Sequence, residues 1–304
     1  MVVIEKLKGL FVMQNSRDGA KIIFAGVGRD CARYLPSVLR GVDQISSKFS
    51  ESAFVFIEND SKDSTKSILQ SWGSNKQNFN LINLDGLARI PQRGLRLEVA
   101  RNTYLEFIRG HSFLSGYDYL VVLDMDDVNT RGVCPEKFKD ALDFLASEPQ
   151  NAAVFSNQEG TYYDMWTLRH KDLCPGDLWE DVLSYVHKHK VSDQEAFNNT
   201  FAKRIISLEQ TGEMLEVESA FGGFGAYKLN YALRNQHSYL GSKVKVLPED
   251  NSQVIVYRQE VCEHVHFNMG IRNLGGRLFI KTDMINASNT GMQFSASFFR
   301  QIIF

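Results

Sequence analysis

The chain has 304 residues, of which 43% are hydrophobic and 23% are charged, and its formal net charge is −2. This composition is typical of a soluble globular protein with one large domain or two small ones, and the charge gives no bulk attraction to nucleic acid or to an anionic membrane. No run approaches the ~20 apolar residues that a spanning helix needs and residues 1–20 lack a signal-peptide core, so we expect a cytoplasmic or otherwise soluble protein without an anchor in this chain.

The first half of the chain alternates apolar strands with amphipathic helices. Strands are predicted over Lys21–Val27, Ala53–Ile57, Phe79–Leu84 and Tyr119–Leu123. Helices are predicted over Ala32–Ile45, Ser64–Trp72, Arg96–Gly110 and Phe138–Ala146, with a further strand over Ala152–Asn157. This alternation indicates a parallel α/β sheet with right-handed crossovers.

The second half of the chain has a mixed pattern. Short strands are predicted over Gly222–Tyr227, Val254–Val256 and Val261–Asn268. Residues 168–209 are polar and helical in places, and we interpret them as an insertion that covers a site, although such loops also occur without a function. The predicted fold class is therefore α/β, with a mixed, mostly parallel sheet flanked by helices and a smaller mixed sheet.

Three carboxylates follow the fourth predicted strand. Residues 117–129 read YDYLVVLDMDDVN, and the apolar run ends at Asp124, Asp126 and Asp127. Ligand sites of open α/β sheets lie at such carboxyl ends, and clustered acids repel one another unless a cation or donors neutralise them. Asp124 and Asp126 face the same side of an extended segment, so we predict that both address a divalent cation with a polyphosphate on its far side. The alternative is an acidic turn without a ligand.

Polar residues elsewhere in the first half suit a nucleotide. Glu58 and Asn59 follow the second strand, where short acceptors can hydrogen-bond a base or a ribose. Arg89 and Arg101 precede the strand that carries the acids, and a guanidinium fork matches the oxygens of a diphosphate. The alternatives are a helix cap after the second strand and solvated surface charge for the arginines.

Two histidines in the second half are candidate metal ligands. His264 and His266 alternate in the predicted strand over Val261–Asn268 and would share one of its faces. One imidazole together with carboxylates suits Mn²⁺ better than Mg²⁺, because imidazole is the softer ligand. The alternative, a pair of partly exposed histidines, is the commoner outcome for an isolated His-x-His pattern.

Three acids of the second half are candidates for a catalytic base. Glu216 and Glu218 precede three glycines in the segment EVESAFGGFGAYK, where the backbone can approach a ligand closely. Asp164 lies among aromatic residues in YYDMWTLR, a composition that resembles a sugar site. The alternatives are a glycine-bent strand and core aromatics around an acid that has a buried partner.

In their order along the chain, these residues resemble the nucleotide-sugar glycosyltransferases of the GT-A fold. The segments that carry the resemblance are IENDSKDST, LARIPQRGLRLEVARN, LVVLDMDD, YDMWTLR, FGGFGAYK and CEHVHFN. The set is most similar to fungal capsule-associated mannosyltransferases and related bacterial and large-virus enzymes, over roughly residues 21–285. The resemblance implies one catalytic domain over residues 1–304, with a nucleotide-binding half (about 21–130), an acceptor-side half (about 131–285) and a C-terminal tail (286–304).

The resemblance also implies a metal-dependent transfer of a sugar, from a UDP- or GDP-linked donor to a hydroxyl of a glycan acceptor, with Mn²⁺ or Mg²⁺ as the cofactor. By this resemblance, Glu58 and Asn59 would lie by the base, and Arg101 would lie near the nucleotide or diphosphate. Asp124 would contact the ribose or a metal-bound water. Asp126 would bind the cation together with His264 or His266. Asp164, Trp166 and the Gly222–Gly225 turn would line the sugar and acceptor pockets.

The stereochemistry and two other functions stay open. An inverting enzyme needs a carboxylate that deprotonates the acceptor hydroxyl, for which Glu218, Glu216 and Asp164 are the candidates, whereas a retaining enzyme needs none. A sugar-phosphate nucleotidyltransferase would share the sheet, the acids and the metal, yet Ala25–Asp30 resembles its glycine-rich phosphate loop only weakly. A non-catalytic carbohydrate-binding protein of the same fold would turn over no sugar nucleotide. No nucleic-acid partner is expected.

Overall fold

The structure, a computed structural model, describes residues 19–248 and 254–289 of the chain. Ten strands run through these residues: β1 (Lys21–Gly28), β2 (Glu51–Glu58), β3 (Phe79–Asn83), β4 (Tyr119–Asp124), β5 (Asn151–Gly160), β6 (Met214–Val217), β7 (Phe224–Lys228), β8 (Ser242–Pro248), β9 (Val254–Glu260) and β10 (Arg277–Asn289). Eight α-helices accompany them: α1 (Leu35–Ser46), α2 (Thr65–Gly73), α3 (Arg93–Gly110), α4 (Pro135–Ser147), α5 (Leu178–His189), α6 (Asp193–Asn199), α7 (Leu229–Arg234) and α8 (Glu263–Asn273).

Eight strands form one sheet in the order β3-β2-β1-β4-β7-β5-β10-β6, and β8 and β9 form a separate antiparallel hairpin. Strands β3, β2, β1 and β4 are parallel neighbours, and so are β5 and β10. Strand β7 lies antiparallel between β4 and β5, and β6 is antiparallel to β10 at the edge. The predicted class, a mostly parallel mixed sheet with a smaller second sheet, is confirmed.

Helices cover both faces of the sheet. Side chains of a strand alternate between the faces, so that Ile23 of β1 joins a core cluster with α3 and α8, while Ile22 and Phe24 join a second cluster with α1, α2 and α4. Because both faces are buried, the parallel strands are near-continuous apolar runs. This is why the strands of the first half are recognisable from the sequence.

The strand predicted over Val261–Asn268 is wrong, because helix α8 occupies Glu263–Asn273. Its buried positions include His264, Phe267 and Ile271, a spacing of three and four residues that belongs to a helix. Positions two apart on a helix point in different directions. His264 and His266 therefore do not share a face.

The polar segment at residues 168–209 is helical in places, as predicted. Helices α5 and α6 and a 3₁₀ turn at Phe201–Arg204 occupy it, and their aromatic rings pack together, with 4.8 Å between the ring centroids of Trp179 and Phe201. Glu180 of α5 forms an ion pair with Lys243 of β8 at 3.0 Å, which ties the segment to the hairpin. Within residues 19–248 and 254–289, no helix has the length and apolarity needed to cross a bilayer.

Candidate active site

The carboxyl ends of β1, β2 and β4 meet at one edge of the sheet. Strand β4 ends at Asp124, opposite Val27 of β1, and β2 ends at Glu58, opposite Gly28. The predicted nucleotide-binding and acidic residues therefore lie along the same edge, which is where open α/β sheets bind their ligands. We call residues Asp124–Asp127 the acid loop.

Arg101 of α3 fixes the acid loop through a hydrogen bond to Asp124. Its side chain is 2% exposed, and it donates from Nη2 to Asp124 Oδ1 at 2.8 Å and from Nε to Glu263 Oε1 at 2.9 Å. The ring of Phe221 lies 5.1 Å from the guanidinium carbon. Burial disfavours the charge, but Tyr104, Asp124 and Glu263 raise the pKa of Arg101 well above its usual value. The guanidinium is therefore a permanent cation that joins β4 to α8.

The negative charge of Asp126 is poorly compensated by hydrogen-bond donors and cationic groups. Its Oδ1 accepts the backbone N–H of Val128 at 3.4 Å, a long bond. Burial, and then the carboxylates of Asp124 and Asp127, raise its pKa to about 7, against a smaller opposing effect of Arg93. Repulsion of this kind is relieved by a cation at the loop.

The acid loop fits a divalent cation that arrives with a diphosphate. Within the described residues, no three His, Cys, Asp or Glu side chains come together as a metal site. Asp124 already shares one oxygen with Arg101, which leaves Asp126 and the second oxygen of Asp124 for a metal. One or two carboxylates, completed by substrate phosphates and water, are the usual protein contribution to a Mg²⁺ site beside a nucleotide.

The structure separates the two histidines predicted as metal ligands. His264 is 2% exposed, and its ring stacks on Phe221 with 3.8 Å between centroids. Burial, and then Arg101 and Arg93, lower the pKa of His264 well below its usual value, so the ring is neutral. His266 lies on another side of α8, with Nδ1 2.7 Å from the carbonyl oxygen of Ser238.

Arg93 belongs to the cleft and was not predicted from the sequence. It is the first residue of α3, and its side chain is accessible to solvent. Partial desolvation by the surrounding protein opposes its charge, but the nearby groups of Tyr163, Glu263 and Asp124 raise the pKa of Arg93. The available signal was spacing: Arg93 precedes Arg101 by eight residues, about two helical turns, which puts both on nearly one face.

Glu58 and Asn59 are buried at the end of β2. Glu58 is 3% exposed and Asn59 is 4% exposed. Oε1 of Glu58 accepts the N–H of Ser61 at 2.8 Å, so one of its roles is to fix the turn into α2. Oδ1 of Asn59 has no hydrogen-bond partner, and a buried acceptor of this kind suits a donor group of a ligand.

The loop after β3 carries Arg89 on its outer side. Arg89 is exposed at the end of a 3₁₀ turn. Asp60 holds this loop, because its two carboxylate oxygens accept the N–H groups of Gly86 at 2.7 Å and Ala88 at 2.8 Å. These bonds come first among the causes that lower the pKa of Asp60, and Arg29 contributes as a nearby charge. Arg89 is thus placed near the edge but not in the buried part of the cleft.

A glycine turn at Gly222 and Gly223 fixes the acid loop from the side of β7. Both glycines have positive φ angles, 66° and 81°. A Cβ on Gly222 would lie 2.6 Å from the carbonyl oxygen of Ser156, and one on Gly223 would lie 2.6 Å from Cγ1 of Val128. The carbonyl of Gly223 accepts the N–H of Asp124 at 2.9 Å. A residue other than glycine is therefore incompatible with this contact.

Buried amides connect β10 to the same turn. The carbonyl of Gly222 accepts from Gln158 Nε2 at 2.9 Å and from Asn286 Nδ2 at 2.8 Å. Asn286 also donates to Asn129 Oδ1 at 2.9 Å, and Asn129 donates to the carbonyl of Asp124 at 2.7 Å. Asn286, expected to begin a C-terminal tail, is instead part of β10 and holds the acid loop through Asn129.

Asp164 is the predicted base whose contacts reach the cleft. It accepts from Thr167 Oγ1 at 2.7 Å and from the N–H of Gly222 at 3.2 Å. Burial raises its pKa to about 6, the bond from Thr167 opposes this, and the nearby charge of Asp124 adds to it. An acid with such a pKa can accept a proton near neutral pH.

Of the other two predicted bases, Glu218 stays a prediction, and Glu216 lies away from the acid loop. Glu218 is half-buried beside the bridge between Arg169 and Ser219. Glu216 forms an ion pair with Arg277 at 2.6 Å on the edge strand β6, four strands from β4. At ~4.8 Å per strand, this separation is roughly 19 Å. The structure therefore does not bring Glu216 to the acid loop.

No family model and no curated protein matches the sequence. Among solved structures, the chain is similar to the mannosyltransferase PcManGT from Pyrobaculum calidifontis in complex with GDP-Man and Mn²⁺, with 14% identity, a TM-score of 0.47 and coverage of 88% of this chain and 56% of that chain. It is also similar to residues 1–349 of S. aureus TarS, with 15% identity, a TM-score of 0.47 and coverage of 88% and 60%.

A third similar structure is the glucosyl-3-phosphoglycerate synthase of Mycobacterium tuberculosis in complex with UDP, with 13% identity, a TM-score of 0.38 and coverage of 92% of this chain and 73% of that chain. The match covers 56% of the PcManGT chain and 60% of the chain of TarS residues 1–349, less than two thirds of either. Similarity at this level does not establish a shared activity.

Proposed function

We propose that the protein is a glycosyltransferase of the GT-A type, which transfers a sugar from a UDP- or GDP-linked donor to a hydroxyl of a glycan acceptor and uses Mn²⁺ or Mg²⁺. One observation carries the proposal: at the carboxyl end of β4, the uncompensated Asp126 lies beside an Asp124 that a buried Arg101 holds in place. Such a loop suits a cation bound to a diphosphate, and the cleft around it supplies further cationic groups for the phosphates.

The donor would lie along the edge formed by β1, β2 and β4. Asn59, with its unpartnered Oδ1, and Glu58 are placed to accept hydrogen bonds from a base or ribose. Arg93 is the better phosphate ligand, because its side chain is accessible, whereas the side chain of Arg101 is 2% exposed and already donates to two carboxylates. Arg101 would then act by orienting Asp124.

The reaction needs positive charge near the departing diphosphate and a proton acceptor near the hydroxyl of the glycan acceptor. When bound, a divalent cation supplies positive charge to the departing diphosphate, and Asp126 and Asp124 are the residues that would hold it. Arg93 adds a second cation on the accessible side of the cleft. In an inverting reaction, Asp164 would take the proton of the acceptor hydroxyl, because its pKa of about 6 leaves it mostly ionised at neutral pH.

Product analysis with sugar nucleotides tests the proposal. Purified protein is incubated with UDP- and GDP-hexoses, Mn²⁺ and a set of oligosaccharides whose hydroxyls can accept the sugar, and released nucleoside diphosphate is measured. We expect release with at least one donor, dependence on the cation, and a loss of about 100-fold or more in Asp126→Asn. The matched control is Asp140→Asn, which changes an exposed carboxylate on α4.

The two other functions give different products. Pyrophosphate from a sugar phosphate and a nucleoside triphosphate would identify a nucleotidyltransferase. Binding of a glycan without release of nucleotide from any donor would identify a non-catalytic binding protein. Either result overturns the proposed transfer.

A further inference from the structure

A cavity of about 500 Å³ opens beside the acid loop, towards the ends of β5 and β10. Asp127, Thr130 and Arg131 line it from the segment after β4, Tyr163 from the segment after β5, and Ser288 from the end of β10. Its volume is within the range of small-ligand sites. None of the residues predicted from the sequence to bind a ligand lies in this lining.

Tyr163 lines the cavity, and the next residue along the chain is Asp164 of the candidate active site. The N–H of Tyr163 donates to Gln158 Oε1 at 3.0 Å, so the buried amides of β5 fix its position. Burial, and then Asp124 and Asp164, raise the pKa of Tyr163 well above its usual value, while Arg93 opposes the shift. The side chain of Tyr163 lines the cavity, and the adjacent Asp164 accepts the N–H of Gly222 at the turn beside the acid loop. A ligand in the cavity would lie next to the bond that the donor loses.

The lining has the chemistry of a carbohydrate site. Thr130 and Ser288 offer hydroxyls, and Asp127 offers an exposed carboxylate, all suited to sugar hydroxyl groups. Tyr163 offers a ring for the apolar face of a sugar. The hydroxyl of Thr130 already donates to the carbonyl of Asp127 at 2.8 Å, which leaves its lone pairs free to accept.

The charges of the lining favour a neutral ligand. Arg131 Nη1 donates to Glu159 Oε2 at 2.8 Å at the rim, so the two charges cancel while the other guanidinium N–H groups stay available. In the absence of a bound cation, Asp127 then leaves the cavity with a net negative charge, and Asp126 lies next to it. A uronic acid or phosphorylated sugar would meet like charge at close range.

We propose that this cavity binds the acceptor, as a neutral oligosaccharide whose hydroxyls contact Asp127 and the Arg131–Glu159 pair. The inference rests on the proposed glycosyl transfer and adds the place and the chemical class of the acceptor. The incoming hydroxyl would enter from the cavity, past Tyr163, towards Asp164.

Binding is tested first, without any donor. Saturation-transfer NMR is recorded on the full chain with lactose, cellobiose and N,N′-diacetylchitobiose as neutral probes, and with digalacturonic acid as the acidic probe. We expect saturation transfer to at least one neutral disaccharide and none to digalacturonic acid. Ser288→Trp, which places a ring in the cavity, should abolish the signal, whereas Arg40→Ala, at an exposed arginine of α1, should keep it.

Kinetics with the best neutral probe and the active donor give the second readout. We expect Arg131→Ala to raise the acceptor KM at least tenfold and to change the donor KM by less than twofold. If Ser288→Trp fails to fold, Arg131→Ala carries the test alone.

The outcomes separate this inference from the proposed function. If the wild-type chain releases nucleoside diphosphate but binds digalacturonic acid best, binds no neutral probe, or keeps its acceptor KM in Arg131→Ala, the acceptor site is overturned and the transfer stands. If no donor yields nucleoside diphosphate at all, the proposed function itself fails, and sugar binding in the cavity would then mark a non-catalytic protein.

Discussion

At the residue scale, the site depends on a buried arginine that holds two carboxylates. Arg101 joins Asp124 of β4 to Glu263 at the start of α8. A buried ion network of this kind is weak evidence for net stability, because desolvation offsets the attraction, yet removal of one partner leaves the others uncompensated. Its value here is geometric, since it fixes the side chain of Asp124 at the edge of the sheet.

We expect Arg101→Ala to lower the free energy of unfolding by about 3–5 kcal/mol, because Asp124 and Glu263 would stay buried without their donor. Arg101→Lys keeps the charge but loses the planar fork, so its loss should be smaller. Urea denaturation measures both. The control is Arg40→Ala, whose exposed arginine bonds only Ser37 among the contacts described, and which should change stability by less than ~0.5 kcal/mol. Equal losses for Arg101→Ala and Arg40→Ala would contradict the assignment.

Asp126 predicts a pH dependence of stability that a cation removes. Its pKa is about 7 in the folded chain, compared with an ordinary value of 3.8. Between about pH 4 and pH 7 the folded state therefore binds more protons than the unfolded state, so the free energy of unfolding falls as the pH rises through this window. We expect Asp126→Asn to be more stable than the wild type at pH 8 and to differ little from it near pH 4.

Thermal unfolding at several pH values, in buffer without divalent ions, measures this difference. Mn²⁺ should raise the midpoint of the wild type at pH 8 and have a much smaller effect on Asp126→Asn. An equal response of both proteins to Mn²⁺, or a variant less stable than the wild type at pH 8, would show that Asp126 is not the uncompensated acid.

At the element scale, the glycine turn before β7 must approach the acid loop closely. A second glycine with a positive φ angle, Gly86, serves as a control that separates backbone strain from this close approach. Gly223 and Gly86 both have positive φ angles, 81° and 97°, but a Cβ on Gly223 would lie 2.6 Å from Val128, while Gly86 has open space around it. We expect Gly86→Ala to cost about 1–2 kcal/mol of backbone strain, and Gly223→Ala to cost a further ~1–3 kcal/mol from overpacking. Chemical denaturation compares the two, and equal losses would show that Val128 moves away freely.

The elements that the sequence predicts best are those with a local signal. Strands β1, β2 and β4 are apolar runs that end at polar residues, and their positions agree with the predictions to within a few residues. The sequence predicts a strand in place of helix α8, because the alternating His264 and His266 match a period of two. The burial of His264, Phe267 and Ile271 follows the helical period instead. The expectation that His264 and His266 share a face was wrong with that element, and their role as metal ligands stays a prediction.

Site residues held by distant strands had no local signal. Asn286 lies in β10, whose pairing with β5 contains register shifts, and its bonds to Asn129 and Gly222 span 157 and 64 residues. A single sequence gives no sign of such long-range pairings. The acid loop itself was predictable because the strand before it is a continuous apolar run, whereas the network that holds it was not.

At the scale of the whole molecule, the sheet has a parallel side and a mixed side joined by β7. Strand β7 lies antiparallel between β4 and β5, so its preceding turn meets the acid loop at the carboxyl edge. This arrangement lets residues from both halves of the chain surround one cleft: Arg93 and Arg101 from the first half, and Asp164 and Glu263 from the second. A ligand in the cleft would therefore stabilise the two halves together.

Linked binding of cation and nucleotide tests this view of the molecule. Because the acid loop offers a cation few protein ligands, Mn²⁺ alone should bind weakly, and a nucleoside diphosphate alone would meet the charge of Asp126. When both are present, the diphosphate supplies further ligands to the cation, and the cation neutralises the charge of Asp126. We therefore expect UDP or GDP with Mn²⁺ to raise the unfolding temperature by more than the sum of the separate shifts. A ligand at 100 times its dissociation constant adds about 2.7 kcal/mol, which corresponds to several degrees for a chain of this size.

Differential scanning calorimetry of the wild type, Asp126→Asn and the control Asp140→Asn measures the coupling. The excess shift should vanish in Asp126→Asn and persist in Asp140→Asn, because only the former removes the carboxylate that the cation would use. The coupling must also be reciprocal, so the nucleotide should tighten Mn²⁺ binding by the same factor by which Mn²⁺ tightens nucleotide binding. Strictly additive shifts in the wild type would mean that cation and nucleotide do not meet at the acid loop, and the site would then have to be sought elsewhere along the edge of the sheet.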